Sequence, residues 1–145
     1  AKQVLSMKEY YDLIVIDGPA RTSKATLEIA NVADLVVQPT GASVDDLRPA
    51  VKEFHALVKE GIDKQKLVFV LNRVGTLSEE KEVRDYLYEA GYQVAKGWLY
   101  EKPAYRKAQN MGGSITETRY SNLNIKADEV IQNLIDKVVE NGKHN

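Results

Sequence analysis

Four short apolar runs recur along this chain, and each interval between them leaves room for one helix. The runs cover residues 13–16, 35–38, 67–71 and, roughly, 94–100. Such runs are typical of strands buried on both faces of a sheet, whereas the intervals show the apolar spacing of helices. Alternating strands and helices imply right-handed crossovers and a parallel sheet. The sequence therefore predicts an α/β fold, a mostly parallel sheet flanked by helices.

Four helices are predicted from their apolar faces and from candidate N-caps, side chains that accept hydrogen bonds from first-turn amides. The caps are Thr22 or Ser23, then Asp45 or Asp46, then Ser78, and for the last helix Asn122 or Asn124. Pro49 is compatible with the second helix only in its first turn. The apolar face of the last helix, within residues 127–139, predicts packing on the sheet, although such a face also suits a partner's helix.

Composition limits the class of protein. The 145 residues fit one domain, residues 1–145, and the 43% of apolar residues suffices for a core. The absence of cysteine excludes disulfides and thiolate metal sites, and His55 and His144 are too far apart for a histidine cluster. We expect His55 to be a solvated helix residue. The net charge of −1 indicates no general nucleic-acid binder, no apolar stretch predicts a membrane span, and a cytoplasmic location is expected.

Polar residues follow the first three predicted strands. Asp17 ends the first, Thr40 lies just after the second, and Asn72 follows the third. Because parallel strands gather their carboxyl ends at one edge, we expect these three residues to border a single crevice. There Asp17 can hold Mg²⁺, or it merely starts the turn at Gly18-Pro19. Asn72 can read a ring edge such as that of adenine with its amide, or it merely caps the loop.

A late segment, residues 102–114, contributes a short predicted helix, two adjacent glycines and three cations. It suits folding over a nucleotide or contacting phosphates. It equally suits an ordinary glycine-rich turn with solvated Lys and Arg side chains.

Three stretches together resemble the ParA/MinD group of deviant Walker-type ATPases, most closely the partition ATPases of plasmids and chromosomes. They are Asp17-Gly18-Pro19, residues 33–47 (ADLVVQPTGASVDDL) and residues 69–73 (FVLNR). The resemblance implies a three-layer fold like that of P-loop NTPases. It also implies that Asp17 is the Walker B residue, which organises Mg²⁺ and the attacking water, and that Asn72 contacts adenine. Thr40, Pro103 and Ala108 are further candidates for the cofactor site.

In that family, ATP and Mg²⁺ hold two subunits face to face, and the homodimer binds DNA without sequence preference. A ParB-like partner, bound at a centromere-like site, stimulates hydrolysis. The resemblance therefore implies a role in DNA segregation. Candidate contacts to the DNA backbone, chosen on charge and loop position, are Arg73, Arg84, Arg106, Lys107 and Arg119.

The departure from the family is as informative as the resemblance. A member begins with a strand, a lysine-bearing phosphate loop, a helix and another strand before the Walker B residue. No G-x-x-x-x-G-K followed by Ser or Thr occurs here, so this chain alone is not expected to hydrolyse ATP. Either it is a fragment of a complete ATPase, or it is a natural degenerate relative. A fragment is favoured, since the fold would have a bare sheet edge, and self-association or strand rearrangement is expected to cover it.

Two other classes stay open. Residues 12–19 also resemble the phospho-acceptor strand of a receiver domain, and Lys102-Pro103 resembles its strand-end Lys-Pro. A receiver needs an acidic pair well upstream, however, and only sixteen residues precede Asp17. The other alternative is a non-catalytic scaffold that uses the sheet as an interaction surface.

Overall fold

The computed structural model describes residues 2–19 and 23–143, and helices and strands alternate across residues 24–94. A short 3-10 turn, Lys64–Lys66, precedes the second strand. The helices and strands are α1 Lys2–Met7, α2 Lys24–Val32, β1 Val36–Thr40, α3 Val44–Lys59, β2 Leu67–Leu71, α4 Leu77–Glu89, β3 Gln93–Val94, α5 Pro103–Asn110 and α6 Ser121–Gly142.

The three strands form one parallel sheet in the order β1-β2-β3. Strand β1 pairs with β2 from Val36 opposite Leu67 to Thr40 opposite Leu71, and β3 pairs with β2 at two positions. All five residues of β2 are buried, which explains its unbroken run of apolar residues. The predicted α/β class and the parallel sheet are confirmed, as are the second and third strands.

The fourth apolar run forms a broken strand. The amide of Ala95 donates to the carbonyl of Phe69 at 2.8 Å, and the ladder resumes when the amide of Leu99 donates to the carbonyl of Leu71 at 2.9 Å. Between them Gly97 has a φ of +75°, the left-handed conformation that glycine adopts without steric cost. The prediction of one strand across residues 94–100 is therefore wrong, because the chain turns out of the ladder at Gly97.

The first apolar run departs most from expectation. Residues 13–16 belong to no helix or strand, and the side chains of Leu13 and Val15 are 50% and 83% exposed. A segment becomes a strand only when its backbone pairs with a neighbour, and none of the described residues pairs with this one. The prediction of a strand buried on both faces is therefore wrong.

Strand β1 has an open side. The carbonyl of Thr40 accepts a hydrogen bond from the amide of Asn72, so the backbone groups of Thr40 point toward β2. Backbone direction alternates along a parallel strand, and those of Val37 and Pro39 therefore point away from β2. No strand pairs with that side among residues 2–19 and 23–143.

Helices cover both faces of the sheet. On one face, Phe69 packs with Phe54 of α3, Leu87 of α4 and Tyr92. On the other face, Val68 and Val70 pack with Val130 of α6 and with Ala95. The predicted packing of the last helix on the sheet is confirmed.

The helices begin near the predicted positions but not always at the predicted caps. Ser23 caps α2 and accepts from the amide of Thr26, as predicted, whereas Thr22 lies outside the described residues. The other predicted caps are wrong. The observed N-caps are Ser43 for α3, Thr76 for α4 and Tyr120 for α6.

Two helix starts show why the predicted caps failed. Asp45 and Asp46 lie inside the first turn of α3, where their charge complements the helix dipole. Thr76 is favoured over Ser78 because Glu79 closes a capping box with it. Pro49 lies in the second turn of α3, not the first. Proline has no N–H group to donate to the carbonyl of Asp45. It is tolerated there because both residues are exposed, so solvent can reach that carbonyl.

Candidate functional site

Thr40 and Asn72 meet at the carboxyl edge of the sheet. The amide of Asn72 donates to the carbonyl of Thr40 at 2.9 Å, just where β1 and β2 end. They border a concavity of about 270 Å³, called here the polar basin. It is lined by Gln38, Pro39, Thr40, Gly41, Asp45, Asp46, Pro49, Ala50, Glu53, Asn72 and Arg73. Two of the three residues predicted to share a crevice therefore do so.

Charge in the polar basin is arranged by the helix that follows β1. Asp45, Asp46 and Glu53 project from α3, and Arg73 contributes the cation on the opposite loop. Thr40 is buried and donates its hydroxyl to the carbonyl of Gly41 at 3.2 Å. The basin therefore offers an amide and carboxylates, which suit the donor groups of a polar ring or an amine better than an anion.

Arg73 has an unusual backbone. Its φ is 55°, in the left-handed region that residues with a Cβ adopt at a cost of roughly 1 kcal/mol or more. This conformation lets the chain turn directly after Asn72.

Asp17 does not join this group. It lies in the segment after α1 that belongs to no helix or strand, it is exposed, and it does not line the polar basin. The expectation that residues 17, 40 and 72 share one crevice is thus wrong for Asp17 in this structure. Its proposed roles in Mg²⁺ binding and as a receiver phospho-acceptor both assume a strand end that the structure does not form there.

Pro103 and Ala108 lie in a second concavity. It has a volume of about 760 Å³ and runs between α5 and residues 117–123, and it is called here the basic groove. The predicted short helix in residues 102–114 is confirmed as α5. The first lining residue, Lys102, follows Glu101, whose amide donates to the carbonyl of Val74 at 3.2 Å. The four candidate cofactor residues are therefore divided between two concavities.

The five basic candidates for DNA contacts have different surroundings. Arg73 lines the polar basin, whereas Lys107 and Arg119 line the basic groove. Arg106 is largely exposed, 4.0 Å from Glu101. The side chain of Arg84 is only 19% exposed, and it donates to the carbonyls of Ala95 at 3.0 Å and Gly97 at 3.2 Å. Arg84 therefore serves the fold, and its proposed DNA contact is not compatible with these bonds.

Two side-chain clusters were missed by sequence reasoning. His55 is exposed, as expected, but its Nδ1 lies 2.6 Å from the hydroxyl of Tyr92, a residue whose pKa is raised by burial. The ammonium of Lys126 lies 4.0 Å from the ring centre of Trp98 and 5.1 Å from that of Tyr100. Each pair is distant in sequence, and no spacing rule connects its members.

The described residues, 2–19 and 23–143, contain neither a metal-ligand group nor a membrane-spanning helix. No three or more His, Asp or Glu side chains are grouped there so as to hold a metal ion. None of the helices in those ranges has the length and apolar character required to cross a bilayer.

Comparison with known protein families finds no model that matches this chain, and comparison with curated proteins finds no significant match.

Proposed function

We propose that this chain is part of a ParA-like ATPase that acts in plasmid or chromosome partition and that its polar basin receives the adenine of the nucleotide. The observation that carries the proposal is the meeting of Thr40 and Asn72 at the carboxyl edge of parallel strands. Ligands of open α/β sheets bind at this edge. An asparagine amide there can donate to and accept from the same ring edge.

The triphosphate and its Mg²⁺ fit the described residues poorly. Phosphates need backbone amides and a lysine, but the polar basin presents Asp45, Asp46 and Glu53, which repel them. The sequence has no phosphate-loop motif, and Asp17 does not reach the basin. Under this proposal the chain binds a base and does not by itself catalyse phosphoryl transfer.

The open side of β1 supports the proposal that a further strand and its phosphate loop come from elsewhere in a longer protein. Val37 and Pro39 present backbone groups to that side, while Leu13 and Val15 are apolar, exposed and part of no strand. Under this proposal the added strand pairs with β1, and residues 13–16 pair with the added strand. Asp17 would then end a true strand, as the Walker B role requires.

A titration with adenosine tests the base site in this chain. We expect amide NMR signals of Thr40, Gly41 and Asn72 to shift, and we expect Asn72→Ala to abolish these shifts. Asn110→Ala, at the exposed end of α5, is the matched control and leaves them intact. Adenosine that shifts none of the basin signals, or that binds Asn72→Ala equally well, would exclude the adenine site.

Calorimetry with ATP and Mg²⁺ tests the fragment proposal. We expect this chain to bind ATP no more tightly than adenosine, and we expect much tighter, Mg²⁺-dependent ATP binding once the upstream coding sequence is added. DNA binding by the dimer and stimulation by a ParB-like partner belong to the longer protein under this proposal. Tight ATP binding by this chain alone would contradict it, and a start codon directly upstream of Ala1 would favour the non-catalytic scaffold.

A further inference from the structure

The basic groove has an apolar floor of small side chains. Ala104 and Ala108 lie one turn apart on α5, and Leu123 of α6 closes the opposite side. Met111 stands on the rim with 78% of its surface exposed. Small residues on one helix let a second helix approach closely, and an exposed methionine adapts its shape to different apolar partners. The floor is therefore suited to apolar side chains that arrive on a helix.

Positive charge surrounds this floor. Lys102 is the N-cap of α5 and Lys107 lies within that helix, whereas Arg119 lies on the other wall, 4.9 Å from the ring centre of Tyr120. The one carboxylate among the lining residues belongs to Glu117, and it accepts the amide of Ser114 at 2.7 Å, which lowers its pKa. This bond favours the ionised carboxylate, so one negative charge stands against the three positive charges of Lys102, Lys107 and Arg119. The groove as a whole is complementary to an anionic partner.

The starts of two helices add to this field. Helices α5 and α6 begin at the groove, at the N-caps Lys102 and Tyr120. Within the described part of the chain, neither cap side chain accepts a hydrogen bond from a first-turn amide, and neither first turn holds an acidic residue. The positive ends of both dipoles are left for an outside anion.

We propose that the basic groove binds an acidic amphipathic helix of a partner protein. Its apolar side chains lie on Ala104 and Ala108, and its carboxylates lie beside Lys102, Lys107 and Arg119. A helix seated in a groove through spaced apolar anchors is a common mode of peptide recognition. A nucleic-acid backbone would use the cations but not the apolar floor. The proposal does not depend on nucleotide binding in the polar basin.

A designed peptide tests the groove. The probe is a fluorescein-labelled helix with leucines at i, i+3, i+4 and i+7 and with glutamates on both flanks, and its matched control replaces every glutamate with lysine. We expect fluorescence anisotropy to detect binding of the acidic peptide only. Backbone amide signals of residues 104–111 and 118–123 should shift on its addition.

Variants separate the groove from general surface charge. Lys107→Glu should weaken binding by about fivefold or more, as reversal of a partly solvated charge contact does. Arg106→Glu is the control, because Arg106 lies on the same helix but outside the groove. Ala108→Phe should also abolish binding by filling the floor, with circular dichroism verifying that the variant is folded.

Several results would overturn the proposal. Equal binding of the lysine peptide would show that charge does not select the partner. Equal loss in Arg106→Glu and Lys107→Glu would show that the groove is not the site. Absence of peptide binding, together with binding of a random DNA duplex that Lys107→Glu weakens and Ala108→Phe does not, would assign the cations to nucleic acid instead.

Discussion

Replacing Arg84 with methionine is expected to destabilise the protein by about 3–4 kcal/mol. The guanidinium of Arg84 pairs with Glu80 one turn earlier in α4 and donates to the carbonyls of Ala95 and Gly97, where β3 breaks. The Arg84 side chain therefore links α4 to the segment that follows β3, residues 95–97. Methionine keeps much of its length but has no donor.

The magnitude follows from what the substitution leaves behind. Each hydrogen bond from a charged donor contributes about 1.5–3 kcal/mol. In the variant, water can replace the lost donor at the carbonyl of Gly97, which is partly exposed, and this reduces the cost. Glu80, whose side chain is only 12% exposed, keeps a carboxylate without its cation, which costs more than a surface pair would. For a domain of this size, 3 kcal/mol corresponds to a fall in Tm of roughly 12 °C.

Chemical denaturation followed by circular dichroism measures the change. Arg106→Met is the control, because Arg106 is 66% exposed and 4.0 Å from Glu101, so its loss should cost less than about 0.5 kcal/mol. In a Glu80→Leu background, Arg84→Met should cost less than it does alone, because the stranded carboxylate is gone. If Arg84→Met and Arg106→Met destabilise the protein equally, the tethering role of Arg84 is refuted.

Lys126→Gln should lower the free energy of unfolding by about 1 kcal/mol, whereas Lys126→Arg should retain most of it, because the cation lies over Trp98 and Tyr100. Emission of Trp98, the only tryptophan, reports this unfolding, and equal stability of both variants would contradict the contact. Hydrogen bonds from Ser114 hold the pKa of Glu117 below its ordinary value of 4.5, so its stabilising contribution is present above pH 4.5 and lost as pH falls through the lower folded pKa. Glu117→Gln should remove this part of the acid dependence, measured as stability between pH 3 and 6. Burial raises the pKa of Tyr105 above 10.0, so stability is complete below pH 10 and falls as pH rises through the folded pKa. Tyr105→Phe should reduce the loss of stability at alkaline pH. At neutral pH it should lower the free energy of unfolding by about 1 kcal/mol, because the hydrogen bond to the carbonyl of Leu123 is lost. If stability falls with alkaline pH as steeply in the variant, Tyr105 is not the responsible group. Sedimentation should show self-association of the chain that Val37→Lys on the open side of β1 reduces, and a strictly monomeric chain would disprove the expectation.

The central part of the fold could be predicted because local and tertiary preferences agree there. Residues 67–71 are apolar throughout, and β2 is buried throughout, so pattern and position coincide. The same agreement explains why α3, α4 and α6 lie near their predicted positions. It also explains why Thr40 and Asn72 were predicted to meet, since a parallel sheet brings such strand ends together.

The predictions are wrong or incomplete where contact with a distant segment determines the local structure. Residues 13–16 have as strong a strand pattern as β2, but a strand needs a neighbour, and composition does not reveal whether one is present. The bond between His55 and Tyr92 and the cluster of Lys126 with Trp98 likewise depend on packing between distant segments. For Arg84, charge alone suggested an exposed contact, whereas the break in β3 supplied two carbonyls that engage it.

Pro39 determines how the free flank of β1 can be extended. An incoming chain finds an N–H group at Val37 but none at Pro39, because the proline ring occupies that nitrogen. Any strand that pairs with both positions lacks one hydrogen bond of the ladder. Repeated addition of identical copies on this side of β1 therefore leaves a defect. This side of β1 can thus pair with one strand of suitable register but disfavours fibril growth.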